Sequence, residues 1–578
     1  MSRTLVRTLV LAAAISPPGA VIAQQQIVGK VDIAFNRYYS HDELNAHLHA
    51  IAKAYPDLVT VKMLGHSRQG REMWLAIVNN PKTGEHSSKP AMWIDGNVHG
   101  NEIQAAEVVL YTLWSLTKAH GKNPALTRIV DENVFYLLIS VNPDGRANWF
   151  EAPNDPNSSR HSMKPVDNDR DGLFDEDPPD DLDGDGSITR MWLPDPEGRY
   201  VRNRYDPRIF ELAPPGQKGD WTPLGSEGID NDGDGRINED GPGGDDMNRD
   251  WPGGWQPDYV QGFAGVYPLS SPETRPVGLF ILSQPNIAAA QSYHNAGGMI
   301  LRGPGTPTRE SWYPGADVAV YNVIQDMGEK LLPYYRKMVI HSDLYIVHGG
   351  FVNWVAETLG IISFTNELWT DAKFYQRDGA GPADGEWVWR DHMVFGETFK
   401  DYTEFDHPRY GKVLVGGPNK WSARVTPPFL LEEECHRNFA FTMFHADQMP
   451  KVRFDRLEID RIGDRLWSLT LEIENDKAIP TRTAVARQKR IGSPDLLTCR
   501  VEGGTVVTAG RLNAWTDERM DPVRREPGRL VVSEGIPGKG RRIFRWIVNG
   551  EPSSRVEIRY EGQKIKDIDL AFTLEESP

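Results

Sequence analysis

Cysteine is almost absent from this chain: among 578 residues only Cys435 and Cys499 occur. A disulfide framework is excluded, and at most one bridge could form. The two cysteines fall in what read as different domains, so unpaired thiols are expected. Long apolar runs are missing too. Leu9 to Ile15 falls far short of the roughly 20 residues that a bilayer span needs, and no later segment is long enough. Arg3 and Arg7 before that run, and Val21-Ile22-Ala23 after it, make residues 1–23 a secretory signal peptide cut after Ala23. The mature protein is therefore expected to be secreted or periplasmic. Basic residues are in deficit: 64 Lys and Arg against 81 Asp and Glu leave a net charge of −17, which argues against nucleic acid as a partner.

The deficit is local. Residues 167–185 carry ten carboxylates against Arg170, and residues 227–246 carry eight against Arg236. Within them Asp167, Asp169, Asp171 and Asp175 alternate with Asn168 and Arg170, with Gly172 at the sixth position. Asp181, Asp183 and Asp185 repeat the pattern, and so do Asp230, Asp232 and Asp234. Alternating carboxylates suit a hard cation that takes six to eight oxygens, and glycine permits the sharp turn. The loops resemble those of EF-hand, dockerin and thrombospondin-repeat proteins. Where the EF-hand carries a bidentate Glu at position twelve, they have Pro178, Trp192 and Gly241, so structural calcium is expected and not a sensor switch. The blander reading is a solvated acidic loop.

Elsewhere the chain alternates strands and helices. Ser40-His41-Asp42-Glu43 is a capping box that opens a helix. Val59 to Leu64 and Met73 to Val78 read as a hairpin-like pair, Ala91 to Asp95 and Val134 to Val141 as buried strands, and Ile103 to Lys118 as a helix. Further strands at Ile287 to Tyr293 and Ile361 to Phe364, and a helix from Pro428 to Met449, complete an α/β domain over 28–449, interrupted by the acidic insertion at about 160–245. Its sheet is expected to be mixed, mostly parallel, with helices on both faces. From Lys451 the pattern turns to period-two alternation, predicting a β-sandwich over 450–578.

His99 and Glu102 form a His-x-x-Glu pair just after a buried strand, and His294 ends another. Strand ends are where open α/β sheets build sites. Two imidazoles and a carboxylate leave zinc a fourth position for water, as catalytic zinc requires. Any one of these residues alone would more often be structural.

From Tyr345 through His348-Gly349-Gly350 to Thr365-Asn366-Glu367 the chain resembles the zinc carboxypeptidases of the funnelin family. Asn142-Pro143-Asp144-Gly145, Asp246-x-Asn248-Arg249 and Ser271-x-Glu273-Thr274 match further family motifs in order, and the resemblance covers Tyr38 to Pro450. It implies that His99, Glu102 and His294 hold zinc and that Glu367 is the general base for zinc-bound water. It also implies that Asn248 and Arg249 grip the substrate's terminal carboxylate, that Tyr345 closes over the substrate, and that Val352 lies at the specificity position. An uncharged Val352 favours an apolar or aromatic C-terminal residue. Two departures stand out. Asn101 replaces an arginine common before the zinc Glu, and Trp192 is followed by Leu193 where the family has its oxyanion-stabilising arginine. Arg190 is the substitute the sequence offers.

The expected protein is a zinc carboxypeptidase acting on peptides, active directly after export. Two rivals share its residues: a zinc peptidase of cell-wall muropeptides, and a non-catalytic calcium-dependent binding protein.

Overall fold

The computed structural model describes residues 27–575 apart from 157, 371, 376–389 and 524. The segment read as a signal peptide lies outside the described residues. An eight-stranded mixed sheet runs in the order Val59–His66, Glu72–Val78, Val134–Leu138, Ala91–Gly96, Ile287–Asn295, Ile362–Leu368, Met299–Arg302, Arg336–Val339. Its centre is parallel: Ala91–Gly96 lies between Val134–Leu138 and Ile287–Asn295, which in turn pairs with Ile362–Leu368. Antiparallel pairings flank this centre. Strands covered on both faces must be apolar throughout, and every residue of Ala91–Gly96 and Ile287–Asn295 is buried.

Helices supply the cover. On one face Leu110, Ile324 and Phe439 come from helices Gln104–Ala119, Gly315–Leu331 and Pro428–Asp447. On the other, Val277 and Phe280 of Thr274–Leu282 and Val355 of Phe351–Leu359 pack with Trp93. The first helix, His41–Ala54, opens with the expected capping box: Ser40 Oγ accepts from Glu43 N, and Ser40 N donates 2.8 Å to Glu43 Oε2.

The C-terminal region consists of antiparallel sheets of five and four strands around Trp467, Leu471, Trp546, Ile558 and Tyr560. It is fastened to the α/β part where Asp317 accepts from Ala484 N and Val485 N at 2.7 and 2.8 Å, and where Lys564 Nζ donates to Leu359 O and Gly360 O. Cys435 and Cys499 are free thiols in separate cores.

A six-stranded antiparallel sheet was not foreseen. Arg190–Pro194, Tyr200–Arg202, Phe210–Leu212 and Trp221–Ser226 of the insertion join Phe399–His407 and Gly411–Pro418 from far along the chain. Among the described residues its apolar cluster has Met191, Val413 and Val415 fully buried, too small a set to leave a clear pattern in the sequence.

Candidate active site

Neighbouring strands of the parallel centre end on one side of the sheet, and each delivers a side chain there. His99 follows Ala91–Gly96 by three residues, while His294 and Glu367 each precede the last residue of their strands. Parallel register sets Glu367 directly beside His294.

His99, Glu102 and His294 converge in a buried cluster. His99 Nδ1 is 2.8 Å from Glu102 Oε1, His294 Nδ1 is 2.9 Å from Glu102 Oε2, and the two Nδ1 atoms are 3.2 Å apart. Ligands at 2.0–2.1 Å from a tetrahedral zinc are separated by about 3.3 Å, so the three groups fit one ion. Their chemistry agrees: two imidazole nitrogens facing each other and a carboxylate cannot all be satisfied by one shared proton. The Glu102 Oε2 contact lacks hydrogen-bond geometry, and this buried oxygen has no hydrogen-bond partner. Burial alone would raise the Glu102 pKa, yet the two imidazoles hold it well below the ordinary carboxylate range.

Outer groups orient the cluster. Asp246 Oδ1 lies 3.1 Å from His99 Nε2, so that Nδ1 faces Glu102 and His294, an arrangement suited to orienting a metal-ligating imidazole. Against its burial, Arg249, His99 and Arg160 hold Asp246 ionised, well below its usual range. Arg160 donates from one guanidinium nitrogen to Glu102 Oε1 at 2.9 Å and sets the other 3.1 Å from His99 Nε2. Glu367 behaves oppositely to Glu102. Burial, then the Glu102 charge, push it up to about 7, against the pull of His294, Arg160 and Arg424. A carboxyl tuned there can take and return a proton near neutral pH.

The zinc carboxypeptidase profile matches residues 44–185 and 212–385. The chain belongs to the zinc carboxypeptidase family. A second profile, of a domain of unknown function, matches 451–573. Carboxypeptidase D of Rattus norvegicus is 33% identical over 116 residues, 20% of this chain and 8% of that protein. Carboxypeptidase M of Mus musculus is 28% identical over 120 residues, 21% of this chain and 26% of that protein. The matched stretch thus spans about a quarter or less of either relative. The crystal structure of thrombin activatable fibrinolysis inhibitor aligns with a TM-score of 0.43 at 16% identity, covering 72% of this chain and 74% of that one.

The other residues that the family motifs single out lie on the turn Met247–Arg249, just after Ile340–Leu344, and on helix Phe351–Leu359. Arg249 is 8% exposed on the turn Met247–Arg249, its side chain donating to Asn248 O at 2.9 Å. Asn248 Oδ1 accepts from Phe351 N at 3.0 Å, so that turn is tied to the helix bearing the buried Val352. Tyr345 is half-exposed after the turn Ile340–Leu344, within electrostatic range of Arg160. Asn101 turns away, its amide donating to Pro156 O.

Arg190 is a correction. It is exposed on Arg190–Pro194, opposite Ser226 and Gly416 in the separate six-stranded sheet. Arg160 is the guanidinium at the His99–Glu102 pair. After helix Pro143–Glu151 the chain folds back over the His99 loop, where Gly100 N donates to Arg160 O at 3.0 Å, before the insertion begins. One signal was present: Arg160 is the only Lys or Arg between Arg146 and Lys164.

Proposed function

We propose that the protein is an exported zinc metallocarboxypeptidase that hydrolyses the C-terminal peptide bond of peptides. One observation carries this reading: the Asp246 carboxylate, which orients His99, also accepts from Asn248 N at 2.7 Å, while the Asp246 carbonyl accepts from Arg249 N at 2.8 Å. The metal trio and the carboxylate-binding pair are thereby held as one unit.

His99 and His294 through Nδ1, and Glu102 through its carboxylate, would hold the ion. Bound zinc lowers the pKa of a ligated water to about 7 and polarises a carbonyl. Glu367 takes the proton of the attacking water and passes it to the departing amine. Arg160, with its side chain 27% exposed beside Glu102, stabilises the negative charge that develops on the scissile carbonyl oxygen. Arg249 and Asn248 bind the substrate's terminal carboxylate, for which a planar guanidinium offers paired donors. Tyr345 closes over the substrate from the rim. The uncharged Val352 favours an apolar or aromatic terminal side chain, and structural calcium in the acidic insertion belongs to the same reading. Among the described residues no helix is long and apolar enough to cross a membrane.

The test is hydrolysis of blocked dipeptides ending in Phe, Leu, Arg or Glu, with and without a zinc chelator at saturating calcium. Chelator-sensitive release of Phe and Leu is expected. Glu367→Gln should keep zinc and lose about 10²–10⁴-fold in kcat. Equal turnover by the variant, or no release from any of the dipeptides by a protein with bound zinc, refutes the assignment.

A further inference from the structure

Two of the acidic segments are copies. Asp167-Asn168-Asp169-Arg170-Asp171 followed by Asp175-Glu176-Asp177 matches Asp230-Asn231-Asp232-Gly233-Asp234 followed by Asn238-Glu239-Asp240 at the same spacing. The fold sets them face to face. Asp177 and Asp240 form an antiparallel bridge. Asn168 N donates to Asp240 Oδ1 at 3.1 Å, and Asn231 N donates to Asp177 Oδ1 at 3.0 Å, so each arm engages the last acid of the other about an approximate two-fold axis.

Carboxylate oxygens gather across that axis. Those of Asp167, Asp169 and Asp240 lie within 4.8 Å of one another, as do those of Asp177, Asp232 and Glu239. Asp177 and Asp240 are completely buried. Asp240 Oδ2 and both oxygens of Glu176 and Glu239 are buried with no hydrogen-bond partner. Ionised carboxylates buried against one another are unfavourable, and a cation among them supplies the missing charge and partners. The third loop differs: Thr403 Oγ1 donates to Asp183 Oδ2, and Lys400 pairs with Asp185.

We propose that two calcium ions bind between the arms 167–177 and 230–240, each completed by an acid from the opposite arm, and that the pair locks the neck of the insertion. Carboxylate oxygens alone, in loops able to supply more than four, suit calcium over magnesium, which keeps its waters and demands a tight octahedron. The neck carries catalytic groups on both sides. Asp167 is seven residues from Arg160, and Asp240 is six from Asp246. Between them Ser162 N donates to Asp245 O at 2.9 Å, and Lys164 Nζ lies 3.0 Å from Asp245 Oδ1. Opening the arms would release Arg160 and the Asp246–Arg249 turn together. That effect on substrate binding rests on the carboxypeptidase reading; the ion pair does not.

Limited trypsin digestion of the full chain tests the pair, because Arg170 and Arg236 are exposed in the two arms. Cleavage after both should slow with one calcium midpoint, by about 100-fold when calcium is 100 times its dissociation constant, and magnesium at the same concentration should not protect. Unchanged cleavage, or protection of one arm alone, overturns the proposal. Elemental analysis gives a second measure: Asp177→Asn/Asp240→Asn should hold two fewer calcium ions per chain than the wild type, and a loss of none or one refutes the shared closure. For the neck, calcium depletion with zinc kept at one per chain should raise KM for a blocked dipeptide more than it lowers kcat; an unchanged KM overturns the coupling. If no dipeptide is hydrolysed in either state, the carboxypeptidase reading falls while the protection and metal counts still judge the ion pair.

Discussion

Gly100 sits between His99 and Glu102, and replacing it by alanine tests whether their positions depend on the chain that crosses above them. An added Cβ would lie 2.2 Å from Ser159 O and 2.5 Å from the backbone of Gly145. Ordinary contact begins near 3.4 Å, so something must move by about 1 Å, and every atom met is backbone. Relief by shifting Ser159 drags Arg160 off Glu102 and His99; relief by shifting residue 100 drags His99 and Glu102, the proposed zinc ligands. A displacement of about 1 Å in a positioned group costs on the order of 10²-fold in rate, and overpacking costs about 1–3 kcal/mol of stability. Gly100→Ala should therefore fold, with a lowered melting temperature, bind zinc more weakly, and show kcat/KM about 100-fold below wild type, although every ligand side chain is intact. Gly315→Ala is the control, since nothing lies within 4 Å of its Cβ. The measurements are zinc content after dialysis, thermal melting and dipeptide hydrolysis. Wild-type zinc affinity and turnover in Gly100→Ala would refute the reasoning.

Arg160→Gln should lower kcat by about 10²–10³-fold, the usual loss of one oxyanion donor, with zinc content unchanged, while Arg190→Gln leaves turnover at the wild-type level; the opposite ranking would restore Arg190. His445 is buried against Phe364 on the strand that bears Glu367, and burial pushes its imidazole down to about 3. It is neutral when folded, whereas the unfolded chain binds a proton below about 6.5, so its stability contribution is complete above that pH and is lost at about 1.4 kcal/mol per pH unit as pH falls toward 3. The urea midpoint of His445→Leu should accordingly fall less between about pH 7 and pH 5 than that of the wild type; parallel decline in the two proteins would show that His445 does not titrate on unfolding.

Several parts of the site were legible because they depend on short stretches of chain. A buried strand followed by His99-Gly100-Asn101-Glu102, and apolar strands ending at His294 and Glu367, mark places where side chains can converge, since parallel strands of one sheet share their carboxyl ends. Helix His41–Ala54 was legible for a similar reason, its capping hydrogen bonds being local. The alternation in the C-terminal strands likewise records which side chains face inward, as Arg555–Glu561 shows by burying every second residue.

What the tertiary structure decided are the contacts between segments distant in sequence. The sequence reads the acidic loops as separate units, because each carries its own spacing; their pairing through Asp177 and Asp240 depends on two arms 63 residues apart meeting in space. The six-stranded sheet depends in the same way on strands near 190 and 415 finding each other. Arg160 belongs to this class as well. Its isolation between Arg146 and Lys164 does not say where it goes, and only the return of the chain over Gly100, enforced by close backbone packing, brings one guanidinium to His99 and Glu102 and leaves the other at the surface.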